Sequence, residues 1–170
     1  MNSRQAALQT SPVELQSSRE ALETAGATLL GRFIYEFARV DVNLGLCLVW
    51  IDGGAQIEAL TKQVEGWNFA KRLECLKDAV DRKLRIDDAG RAAYTQWIER
   101  ADSLRITRNE LVHSRWGVNP TDGKVVNFLS FPTSDNDRAV GYSLKDLEGM
   151  LAEMRDLQAV LGNLRERWPL

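Results

Sequence analysis

"LGRFIYEFARVDVNLGLCLVWI", residues 30–51, places apolar side chains at Leu30, Phe33, Phe37, Val40, Leu44, Cys47 and Ile51. The steps alternate three and four without a break, which at 3.6 residues per turn puts all seven on one helical face. This predicts a long core helix, ended by "DGG" at 52–54. The same periodicity recurs downstream. "AQIEALTKQVEG" at 55–66 reads as a shorter helical segment, and Phe69, Leu73, Leu76, Val80 and Leu84 mark another amphipathic helix. After a break at "IDDAG" (86–90), Tyr94, Trp97, Ala101, Leu104 and Leu111 mark a fourth stripe.

The pattern then changes. In "SRWGVNPTDGKVVNFLSFP" (114–132), Asn119 to Gly123 is turn-rich and Val125 to Phe131 is β-branched and aromatic, so a small hairpin is expected at about 115–131. Ser143, with Asp146 three residues on, is an N-cap with a capping-box partner. It opens a last helix on Leu147, Met150, Met154, Leu157, Leu161 and Leu164. The expected fold is all-α: an antiparallel bundle of four to five helices with a small β-hairpin insertion before the last helix. Residues 1–18, polar and carrying Pro12, read as a loose arm with a short helix from Pro12 onward, and 19–170 as a single domain.

Composition narrows the classes of function. A net charge of -2 gives no global attraction to polyanions, so any nucleic-acid surface is local. The two cysteines, Cys47 and Cys75, have neither CxxC spacing nor a nearby histidine, and no metal site or cofactor is expected; they read as reduced, buried thiols. The N-terminal residues lack an apolar signal core and no stretch reaches the length of a membrane span, so the expectation is a cytoplasmic protein without membrane contact.

One residue breaks the fourth stripe. The series 94, 97, 101, 104, 108, 111 keeps its alternation, and position 108 is arginine. A guanidinium in a core-type slot needs a carboxylate, a cleft or a partner chain, because an unpaired buried charge costs several kcal/mol. Glu36 and Asp41, on opposite rims of the first long stripe, are the candidate partners. His113, the only histidine, lies five residues on and faces another way, whereas Asn109 is four residues from it and positioned to orient the imidazole. Break signals up to Trp116-Gly117 place His113 near a helix C-terminus, where unpaired carbonyls favour a cation and suit a proton-exchanging group.

Arg108, Asn109 and His113, in "RNELVH" at the end of the penultimate helix and followed by "SRWG", resemble the signature of the HEPN superfamily. The likeness covers this motif and its position in the bundle, not the rest of the chain. What it implies is metal-independent RNA cleavage in a cleft shared by two protomers. The histidine would act in proton transfer, the arginine would hold the scissile phosphate and Asn109 would orient. RNA, a second copy of the chain and an antitoxin or other partner protein are the implied partners.

Arg105 and Arg115 are candidate supporting residues for a phosphate track, although interleaved Glu99, Asp102 and Glu110 favour a solvated charged face. Trp97 and Trp50 lie on or near core stripes, which leaves Trp116 as the tryptophan to test as a base or dimer contact. Two rival readings remain. A non-catalytic dimerisation or RNA- and nucleotide-binding module shares the fold, because resemblance does not decide activity. A helical interaction protein with an accidental motif would tie Arg108 into an intramolecular ion pair and leave His113 facing solvent.

Overall fold

The computed structural model describes residues 11–131, 133 and 138–170. The chain is mostly helical, with α1 (Pro12–Val49), α2 (Ile57–Glu65), α3 (Phe69–Lys83), α4 (Asp88–Val112) and α5 (Leu144–Arg167). Between α4 and α5 lies a three-stranded antiparallel sheet of β1 (Arg115–Asn119), β2 (Lys124–Phe128) and β3 (Ala139–Ser143), with β2 in the centre. The hairpin expected at 115–131 is thus two strands of three. The missed strand, "AVGYS", is short and interrupted by Gly141, so no alternation marks it; backbone pairing to β2, with Val126 opposite Gly141, holds it.

The helix that decides the fold begins earlier than its apolar stripe. Ser11 caps it reciprocally with Glu14: Ser11 Oγ accepts from Glu14 N (3.2 Å) and Ser11 N donates to Glu14 Oε2 (2.8 Å), with Pro12 just inside the helix. The helix expected from Pro12 is therefore not a short one within an arm: residues 12–18 are the first turns of α1, exposed along their length. The remainder of that arm, 1–10, lies outside the described residues.

Packing follows the stripes. Phe33, Phe37, Val40, Leu44 and Cys47 of α1 are buried, as are Phe69, Leu73, Leu76 and Val80 of α3, Tyr94, Trp97, Ala101, Leu104 and Leu111 of α4, and Met154, Leu157, Leu161 and Leu164 of α5. They form one core, with α1 lying most extensively along α5. Trp97 belongs to that core, and its Nε1 donates to Leu157 O at 2.8 Å. The expected cap also forms: Ser143 Oγ accepts from Asp146 N (3.1 Å) and Asp146 Oδ2 accepts from Ser143 N (2.8 Å).

The N-terminal half of α1 reaches past this core and carries the sheet. Gly26 is buried against Val125, so closely that a Cβ there would stand 2.7 Å from Val125 Cγ2. At the tight β1–β2 turn, Gly123 takes the left-handed backbone (φ 62°) that the Asp122-Gly123 pair anticipates. Among the described residues no helix is long and apolar enough to cross a membrane.

Candidate functional site

Helix α4 ends at Val112, and His113 is its C-cap, with its backbone N–H donating to Asn109 O at 3.1 Å. The last carbonyls of a helix have no partner within it. Here the sheet and the following turn supply them. Trp116 Nε1 donates to Leu111 O (2.9 Å), Asn127 Nδ2 donates to Glu110 O (3.4 Å), and Ser114 Oγ also donates to Glu110 O. Asn127 is fully buried for this purpose. The imidazole of His113 is consequently not needed as a cap: it is exposed and makes no hydrogen bond or ion pair among the described residues.

Arg108 sits half-buried on the stripe that it interrupts. Its guanidinium stands over the Phe37 ring, 5.3 Å from the centroid, and Nη1 donates to Asn109 Oδ1 at 3.0 Å. Its Nε is buried without a hydrogen-bond partner. Neither expected carboxylate reaches it. Glu36 accepts from Arg155 Nε (3.2 Å), Arg39 Nη1 (3.3 Å) and Gln158 Nε2 (2.9 Å), and Asp41 Oδ1 accepts from Arg72 Nη1 (2.7 Å). Both acids clamp α1 to neighbouring elements, and Arg108 has no ion pair among the described residues. Burial pushes the Glu36 carboxyl up, but the hydrogen bonds from Arg155, Arg39 and Gln158 outweigh it and hold the group below its ordinary value.

Asn109 was expected beside the imidazole; its side chain instead accepts from Arg108. At about 100° per residue, Arg108 and His113 point roughly 140° apart around α4. His113 borders a cavity of about 340 Å³ with Ser114, Arg115, Phe128, Leu129, Ser130 and Phe131, and Arg108 is not among the residues that line it. A single chain therefore does not bring the arginine and the histidine into one cavity.

The supporting candidates divide. Arg105 is bound to Asp102 (Nε to Oδ1, 2.7 Å), as an ordinary surface pair. Trp116 is half-buried structure: besides its bond to Leu111 O, its ring lies 6.0 Å from that of Tyr142. Arg115 does border the cavity, its guanidinium 4.6 Å from the Phe128 ring centroid. Phe128 and Phe131 were not singled out from the sequence. The signal was there: two aromatics three residues apart, one ending β2 and one just past it. Among the described residues, no group of three or more His, Cys, Asp or Glu side chains is placed to hold a metal ion.

No protein-family model, curated protein or solved structure matches the chain.

Proposed function

We propose that the protein is a HEPN-type, metal-independent endoribonuclease, toxin-like or defence-related, with Arg108 and His113 as its catalytic groups. The observation that carries this reading is that neither side chain has an ion-pair partner among the described residues. The guanidinium of Arg108 has no carboxylate partner, and the carbonyls that would engage His113 are taken by Trp116, Asn127 and Ser114. A polar group kept in a core-type slot without an ion-pair partner costs stability, and sites that bind charge are where such a cost is found.

The chemistry needs a base and a cation. His113 would take the proton of a ribose 2′-hydroxyl as that oxygen attacks the adjacent phosphorus. Arg108 would neutralise the charge that builds on the phosphate oxygens, and Asn109 would hold the guanidinium. As the bond from phosphorus to the 5′-oxygen breaks, that oxygen takes a proton from water and the imidazole returns its own to water, giving a 2′,3′-cyclic phosphate and a 5′-hydroxyl. Because the two side chains diverge around α4, the reading requires a second copy of the chain whose Arg108 faces His113 of the first. A cytoplasmic homodimer held in check by an antitoxin is the corresponding biological setting.

The divergence of Arg108 and His113 within one chain favours a second reading: a non-catalytic dimerisation or RNA- and nucleotide-binding module acting with a partner protein. The deciding experiment is cleavage of a structured RNA in EDTA by the wild type, Arg108→Ala and His113→Ala, with folding checked by circular dichroism. Cutting by the wild type that is lost in both folded variants supports the nuclease. A wild type that binds RNA without cutting it supports the module.

A further inference from the structure

We propose that the cavity beside His113 receives one unpaired nucleobase of a single-stranded RNA, stacked on Phe131, with the adjoining phosphate against Arg115. The proposal rests on the nuclease reading for the class of strand, and on the geometry of the cavity for the rest. Phe131 is an apolar ring left 81% exposed, more than Tyr35 at 66% or Trp50 at 50%. It stands three residues past the end of β2, on the rim of a cavity that also holds Phe128, Arg115 and His113. Every base has a π-face, so an exposed ring accepts it whatever the sequence.

The guanidinium of the cavity is placed for a backbone. One face of Phe128 is already covered by the Arg115 guanidinium, which fixes that cation at the cavity edge, and Arg115 makes no ion pair among the described residues. A stacked base on Phe131 thus brings its phosphate toward an uncompensated guanidinium. At about 340 Å³ the cavity lies at the small end of ligand sites, which suits a single base and excludes a paired helix. His113, on the same rim, then lies beside the sugar of that nucleotide, where the proposed chemistry needs it.

The test is fluorescence anisotropy with a labelled 2′-fluoro RNA of mixed sequence, which lacks the attacking hydroxyl and stays intact, and with the same strand made abasic. The proteins are the wild type, Phe131→Ala, Phe131→Tyr and, as a control for loss of an exposed ring elsewhere, Tyr35→Ala. Expected are a loss of affinity on the order of tenfold in Phe131→Ala, retention in Phe131→Tyr and Tyr35→Ala, and weak binding of the abasic strand that Phe131→Ala does not weaken further. Equal binding by Phe131→Ala and the wild type, equal loss in Phe131→Ala and Tyr35→Ala, tight binding of the abasic strand, or no binding by the wild type would each overturn the proposal. Cleavage of the unmodified strand is scored separately. Phe131-dependent binding without cutting removes the nuclease and keeps the subsite, whereas cutting with Phe131-independent binding does the reverse.

Discussion

The Arg108 guanidinium and the Phe37 ring face each other between α4 and α1, 5.3 Å from charge centre to centroid. The ring offers a cation–π contact where a carboxylate was expected, and it leaves the charge unneutralised. An arginine kept only for stability would be better served by an ion pair or by an apolar side chain of its own length. The pairing with Phe37 holds the guanidinium without cancelling it.

Arg108→Met separates those roles. Methionine keeps the contact with Phe37 and removes the buried Nε that has no partner, so the urea unfolding free energy should move by less than about 1 kcal/mol in either direction. Cleavage should fall by a factor of roughly 100 or more, the usual effect of removing one group that stabilises transition-state charge. A variant that cuts like the wild type removes Arg108 from the mechanism.

Glu36 gives a pH signature. Its carboxyl is held below the ordinary 4.5 by Arg155, Arg39 and Gln158 against the opposing effect of burial. A depressed carboxylate stabilises the fold above the unfolded value and loses that contribution as pH falls through the folded one. Glu36→Gln should therefore cost about 1–3 kcal/mol at pH 7, and the gap to the wild type should narrow as pH drops below 4.5. Urea midpoints at neutral and acid pH measure it; a gap that stays constant would show that the charge is not what clamps α1 to α5.

Two glycines of α1 should respond in opposite directions. At Gly26 an added methyl meets Val125 at 2.7 Å, and at Gly31 it meets nothing within 4 Å. Alanine in a helix gains roughly 0.5–1 kcal/mol over glycine. Gly31→Ala should gain that amount, whereas Gly26→Ala should lose about 1–3 kcal/mol to overpacking against a stiff β-branched side chain. Chemical denaturation of both variants is the check, and stabilisation by Gly26→Ala would contradict the placement of α1 on β2.

The helices were legible because each buries a stripe that a 3.6-residue period reveals, and Arg108 was legible because it broke one. Its surroundings were not. Phe37 belongs to the stripe of another helix, and Glu36 finds Arg155 and Gln158 across separations of 119 and 122 residues. Such pairings are products of packing, and local spacing carries no trace of them. Strand β3 escaped because it is held by backbone bonds to β2 rather than by side-chain alternation. The partner of Asn109 was missed for a geometric reason: helical spacing brings its side chain near His113, but its oxygen turns to the adjacent guanidinium.

The most direct test of the central claim compares two strands in EDTA: an RNA whose cut site has been mapped, and the same RNA with a single 2′-deoxynucleotide 5′ to the scissile phosphate. Attack by the 2′-hydroxyl predicts that the wild type cuts the first, leaves a 2′,3′-cyclic phosphate, and leaves the second intact at that position. Cleavage that persists at the deoxynucleotide, or no cleavage of any RNA, would contradict catalysis by Arg108 and His113.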